Sequence, residues 1–271
     1  MNTERFLVKP DAPFRWKDHP PDTTPGCKSK ADAQTPLAAN LERLAELQEK
    51  LYAQGKHALL IVIQGMDTAG KDGVIEHVMG AFNPQGVQIA AFKVPTEEEL
   101  GHDFLWRIHK AAPRRGMVGI FNRSHYEDVL VVRVAKLAPK AVWSRRFADI
   151  NAFEKLLSDS GVAIVKLFLN ISPEEQAIRL QERRDTPEKQ WKFNPGDLKT
   201  RAQWSAYMEA YREVFARCST AWAPWYVVPA NRKWYRNLVI SEVLVKTLDS
   251  LDLAYPPPAA EISGMEIPPA G

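Results

Sequence analysis

The stretch Gly65-Met66-Asp67-Thr68-Ala69-Gly70-Lys71-Asp72 constrains this chain more than any other, because it fits G-x-x-x-x-G-K and directly follows a short apolar run, ALLIVI at 58–63, that ends at Gln64. A run of that length, bounded by polar residues, has room only for a buried strand. After the motif, Val74, Ile75 and Val78 begin an apolar helical pattern. Strand, glycine-bounded loop and helix in that order make a phosphate-binding loop. Two glycines let the backbone wrap an anion, amides point inward where the helix starts, and the lysine reaches bridging phosphate oxygens. The plain alternative, a glycine-rich turn followed by helix-start acids, does not account for the strand–loop–helix setting. Gly65, Ala69, Gly70, Lys71 and Asp72 are therefore candidate phosphate-binding residues. Asp72 replaces the Ser or Thr whose hydroxyl ordinarily holds magnesium in such loops. Asp67, inside the loop, becomes the candidate metal ligand, able to hold Mg2+ or to orient the attacking oxygen.

Further strands are predicted at 87–92, 117–121, 162–169 and 225–228, separated by segments of helical pattern. Thr96 with Glu99 makes a capping box, and Ser172-Pro173-Glu174-Glu175 makes a stronger helix start with proline at the first helical position. Strands alternating with helices imply an α/β fold with a central parallel sheet and helices on both faces. With 271 residues the chain can bury one large core, so a single domain is expected. Leu37, Leu41, Leu44, Leu47 and Leu51 line one face of a helix over 36–55, a face that packs on its own domain or makes a dimer contact. Residues 1–35, rich in Pro, Asp and Lys, read as an extended arm, and the domain proper spans 36–254. A Pro-rich tail, 255–271, carries prolines at 256, 257, 258, 268 and 269 and is expected to be loosely attached. Charges run throughout the first twenty residues and no apolar run of about 18 occurs, so a cytoplasmic protein with no membrane partner is expected. Cys27 and Cys218 have neither the spacing nor the number of a metal site or disulfide framework.

Charge is distributed unevenly. Residues 107–146 hold ten Lys/Arg against two acids, Glu127 and Asp128, a local +8, which leaves 26 against 31, or −5, in the rest of the chain. Such a segment suits a solvated face, a nucleic-acid footprint or the lining of a polyanion site. Within it, Asn122-Arg123-Ser124-His125-Tyr126-Glu127-Asp128 ends the third predicted strand, at the sheet edge where open α/β folds place ligands. Arg123 there can neutralise charge on a transferring phosphoryl group, with Arg133 as a further phosphate ligand. His125 reads as structural. At 179–198, RLQERRDTPEKQWKFNPGDL has the look of a lid: Arg179 and Arg183 lie one helical turn apart, and Lys192 follows in a Pro/Gly-bounded stretch. Lids of this kind exclude water and bring late arginines to phosphates.

Taken together, GMDTAGKDG, FNRSHYEDVLVVRV, RLQERRDTPEKQWKF and NRKWYRN closely resemble the polyphosphate kinase 2 family over roughly residues 36–252. The resemblance implies a thymidylate-kinase-like P-loop fold, a three-layer sandwich with a helical lid. It also implies magnesium dependence and reversible phosphoryl exchange between polyphosphate and AMP or ADP. By motif position Asp67 and Lys71 match the family's acid and lysine, Arg123 the arginine of the second motif, and Arg183 a lid arginine. Asn122, Glu127 and Asp128 fall in the nucleotide-acceptor region. Asn122 departs from the Asp that many members carry, which throws the metal-holding role onto Asp67. The FNRSHYED wording resembles the subgroup that accepts both AMP and ADP. Polyphosphate and adenine nucleotides are the expected partners of a homo-oligomer, without nucleic acid. Two rival readings are an ATP-dependent nucleotide or nucleoside kinase and a nucleic-acid-binding module with an idle P-loop. The basic segment lacks a recognised nucleic-acid reading motif.

Overall fold

The computed structural model describes residues 1–258, 262 and 265–269, so part of the expected tail lies outside the described residues. Five strands, β1 (Ala58–Gln64), β2 (Val87–Ala91), β3 (Val118–Asn122), β4 (Val162–Asn170) and β5 (Trp225–Pro229), form one parallel sheet in the order β2-β3-β1-β4-β5. Each lies within a residue of its predicted bounds. Among the described residues eleven α-helices accompany them: α1 (Lys30–Gln54) before β1, α2 (Lys71–His77) after it, α3 (Glu97–Leu100) and α4 (Trp106–Ala111) between β2 and β3. Then follow α5 (Val131–Val134), α6 (Lys140–Trp143) and α7 (Arg146–Asp159) before β4, α8 (Pro173–Asp185), α9 (Pro195–Ala202) and α10 (Trp204–Cys218) before β5, and α11 (Lys233–Asp249).

Side chains alternate across the sheet, which gives the central strands two buried faces and the molecule three layers. Leu59, Ile61 and Ile63 of β1 join Leu44, Leu47 and Leu51 of α1, Val74 of α2 and Val239, Val243 and Leu248 of α11. On the opposite face Leu60 and Val62 meet Phe147, Ile150 and Phe153 of α7 and Tyr211, Val214 and Phe215 of α10. The leucine face of α1 is thus used within its own domain, against α11.

Helix α1 begins six residues earlier than Pro36 suggested. Ser29 and Asp32 form a capping box there, and Pro36 sits inside the helix. The first thirty residues lie on the domain: Val8 N–H donates to the Trp225 carbonyl at 2.8 Å, Leu7 bridges Tyr226, and Phe6 and Phe14 are buried. This covers the outer edge of β5, which would otherwise present unpaired backbone. No helix among the described residues is long and apolar enough to cross a membrane.

Candidate active site

Register fixes the site. Ile63 stands opposite both Asn122 and Leu167, so β1, β3 and β4 end together and their loops converge at one edge of the sheet. The chain leaves β1 through 65–72, with Thr68 and Gly70 in left-handed conformation (φ +65° and +100°), and α2 begins at Lys71. Lys71 Nζ folds back onto the carbonyls of Gly65 (2.8 Å) and Met66 (3.3 Å). Burial, with Arg123 nearby, lowers its pKa to about 8. A lysine so placed has no acid within salt-bridge reach among the described residues and is electrically incomplete until an anion arrives. Ala69 is buried, its N–H donating to Met66 O at 3.0 Å.

Across the cleft, Arg123 takes up a left-handed backbone (φ +63°) at the end of β3. Its guanidinium donates to Asp67 Oδ1 at 2.9 Å and lies 3.5 Å from Glu127 Oε2. Burial opposes its charge, but Glu127 and Asp67 outweigh burial and hold its pKa above the ordinary value. Glu127 also accepts from Gln64 Nε2 at 3.1 Å. Asn122 Nδ2 donates to Asp72 Oδ1 at 2.7 Å. A carboxylate supplied by the loop itself, Asp72, therefore stands beside Asn122.

The 3-10 turn His125–Asp128, which carries Glu127, is anchored from beneath by a wholly buried polar network. Lys166 of β4 spends its three N–H groups on Glu154 Oε2 (2.6 Å), Tyr126 Oη (2.8 Å) and Cys218 O (2.6 Å). Glu154 Oε1 accepts from Tyr126 Oη at 2.8 Å and pairs with His125 Nε2 at 3.0 Å. Burial works against the Glu154 charge, yet Lys166 and His125 keep its carboxyl below the usual range. His125 is structural, as its sequence context suggests.

The segment expected to act as a lid comprises α8, a 3-10 turn at Pro187–Lys192 and α9. Ser172 caps α8 by accepting from Glu175 N–H at 3.2 Å. Arg183 lies 3.5 Å from Asp197 Oδ2 and donates to Lys192 O at 3.3 Å, which folds the lid arginine against the lid lysine's backbone. Burial, with Asp67 nearby, raises the pKa of Asp197 to about 6. Arg179 turns inward: its guanidinium donates to Thr68 O, Ala69 O, Ala230 O and Asn231 O at 2.7–3.2 Å, and its Nε pairs with Glu175. It buttresses the P-loop from its carbonyl side, while the Ala69 N–H, expected to bind phosphate, is already engaged by Met66 O.

These elements enclose a cleft of about 440 Å³. Its lining includes Asp67, Lys71, Asp72, Asn122, Arg123, Arg183 and Lys192, all named from the sequence, together with Lys189, Lys233 and Arg236, which sequence reasoning missed. The motif NRKWYRN holds both Lys233 and Arg236, but nothing local says that the helix it starts returns to the P-loop.

Two expectations are corrected. Arg133 does not reach the cleft, because it pairs with Glu213 at 2.6 Å and lies over the Trp143 ring. Nor does the basic segment 107–146 line it: of its ten cations only Arg123 does so. Arg107 pairs with Glu99, and Arg146 with Asp128 at 2.7 Å, which occupies Asp128 in a separate small recess. The other positive charges of the cleft are Lys71 of the P-loop, Lys93 after β2, Arg179, Arg183, Lys189 and Lys192 of the 179–198 segment, and Lys233 and Arg236 of α11.

Among the described residues no three His, Cys, Asp or Glu cluster to hold a metal by themselves. Magnesium needs no such cage, since it keeps several waters and takes one or two carboxylates with phosphate oxygens. Asp67 and Asp72, hard oxygen donors flanking Lys71 in the cleft, fit that requirement.

Residues 27–255 match the sequence profile of the family described as polyphosphate kinase 2 (PPK2). The chain is 51% identical to an AMP/ADP-polyphosphate phosphotransferase of Meiothermus ruber, over 94% of this chain and 96% of that one. It is 43% identical to an ADP-polyphosphate phosphotransferase of Rhodopseudomonas palustris, over 94% and 93%. The crystal structure of polyphosphate kinase 2 from Arthrobacter aurescens TC1 superposes with a TM-score of 0.90 at 48% identity, covering 95% of each chain. With the P-loop, the arginine after β3 and the lid in one cleft, and with similarity along nearly the whole length, this chain belongs to the polyphosphate kinase 2 family.

Proposed function

We propose that the protein transfers the terminal phosphoryl group of inorganic polyphosphate to AMP or ADP, reversibly, in the cytoplasm. One observation supports this reading best: nine Lys/Arg against four acids line the cleft, spread over the P-loop, the ends of β2 and β3, the lid and α11. A single nucleotide would use a few of these cations, whereas a polyanionic chain can engage many.

In the forward direction the terminal phosphate oxygen of the nucleotide attacks the end phosphorus of polyphosphate. A new P–O bond forms, the bond to the rest of the chain breaks, and the shortened polyphosphate leaves with the electron pair. The attacking oxygen is already ionised, so no side chain has to act as a strong base, and catalysis is positioning and charge neutralisation. Lys71 leaves its two loop carbonyls for the phosphoryl oxygens. Arg123, held by Asp67 and Glu127, neutralises charge between donor and acceptor. Asn122 faces the acceptor and Glu127 holds Arg123 from behind, while Arg183 and Lys192 come in as the lid closes and water is excluded. Mg2+, held by Asp67 and Asp72, would offset phosphate charge when bound.

Self-association belongs to the same reading and is measured by sedimentation velocity. The function is tested by following ATP formed from ADP and AMP with magnesium, using polyphosphate left intact or destroyed beforehand with an exopolyphosphatase that is then removed. ATP that depends on intact polyphosphate is expected. Equal ATP in both samples would favour a nucleotide kinase using a second nucleotide as donor.

A further inference from the structure

Among the described residues three Lys or Arg side chains are buried, and two of them have an acid partner: Lys166 has Glu154 and Arg179 has Glu175. Arg236 of α11 is the exception. It is 1% exposed and has no acid within salt-bridge distance among the described residues. Its Nε and Nη2 both donate to Asn237 Oδ1, at 3.0 and 2.7 Å, and Nη1 donates to Gly70 O at 3.2 Å. A neutral amide and one carbonyl do not compensate a buried guanidinium. Burial, with Arg179 nearby, accordingly lowers its pKa to about 10.

Its position is as specific as its charge. A Cβ on Gly70 would meet Arg236 Nη1 at 2.1 Å, so the second P-loop glycine leaves the space that the guanidinium fills. Arg236 lines the same cleft as Lys71. Lys71 has the same signature, a cation bonded only to neutral oxygens of the loop.

From this shared signature we infer that Arg236 is a second phosphate ligand of the P-loop, its charge balanced by phosphoryl groups of the bound substrate and by no acid of the chain. The inference rests on the proposed phosphotransfer and names a residue for it. It carries an unusual consequence: the ligand-free fold tolerates an unfavourable charge for the sake of binding, so neutralising that charge should stabilise the free protein and weaken the complex.

Asn237→Asp tests this with almost no change of shape, because it puts a carboxylate where Nε and Nη2 already donate. Ligand-free Asn237→Asp should melt about 2–4 °C higher than wild type. Its Kd for tripolyphosphate, measured by titration calorimetry, should be weaker by about tenfold or more, as for loss of a charge-assisted contact. Arg236→Met should bind tripolyphosphate as weakly while melting no lower than wild type. An Asn237→Asp protein that binds tripolyphosphate within about twofold of wild type would overturn the inference, and so would an Arg236→Met protein that melts several degrees lower yet keeps full affinity. Polyphosphate-dependent ATP formation by the wild-type protein, measured alongside, reports on the proposed function separately: its absence would count against that function and leave the binding comparison intact.

Discussion

Lys71→Ala is the perturbation whose size follows most directly from the site. In the free protein Lys71 Nζ holds two backbone carbonyls, at 2.8 and 3.3 Å. Reaching a ground-state phosphate exchanges these neutral acceptors for charged ones, a net gain of about 1–1.5 kcal/mol. Loss of the lysine should therefore raise KM by no more than about tenfold. In the transition state the same cation faces charge developing on the transferred group. Removing one preorganised donor there costs about 2.7–4 kcal/mol, or roughly 100- to 1,000-fold in kcat. The fold should not suffer, since the buried charge that disappears had no acid partner. Steady-state ATP formation gives both constants, and thermal unfolding verifies the fold. A folded Lys71→Ala protein with kcat within about tenfold of wild type would remove the P-loop lysine from the chemistry.

Three further outcomes are expected. Because the free-protein pKa of Lys71 is lowered to about 8, its cation is present below that pH and lost above it; kcat/KM should fall as pH rises through about 8, while kcat, reporting the phosphate-bound form, should fall only at higher pH. Arg183→Ala should lower kcat about tenfold or more with less effect on nucleotide Kd, and proteolysis within 184–197 should slow when nucleotide and polyphosphate are both present, measured by gel densitometry. Lys166→Met leaves Glu154 buried without its cation and should destabilise the protein by about 3–5 kcal/mol in denaturant unfolding, most of which Lys166→Met with Glu154→Met should restore.

Local signals carried the sheet and the P-loop. The strands were legible because short apolar runs between polar borders have few other uses, and Ser172-Pro173 marked the start of α8 because capping is a matter of a few adjacent residues. The start of α1 was misplaced for an equally local reason: Pro36 resembles a first-turn proline, while the actual cap, Ser29 with Asp32, has no apolar residue to announce it. Net charge misled where partners are distant in sequence. Arg133 meets Glu213 eighty residues away, and Arg107 and Arg146 pair with Glu99 and Asp128. Arg236 was missed because it meets Gly70 across 166 residues, a contact created by the packing of α11 on the sheet.

The central claim, that polyphosphate is the phosphoryl donor, is tested most directly by following the phosphorus itself. Polyphosphate labelled with 32P, incubated with unlabelled ADP, magnesium and the wild-type protein, should yield ATP labelled in its γ-phosphate, with the polyphosphate shortened in step. ATP that forms without label would show that the phosphoryl group came from another nucleotide, and would contradict the account.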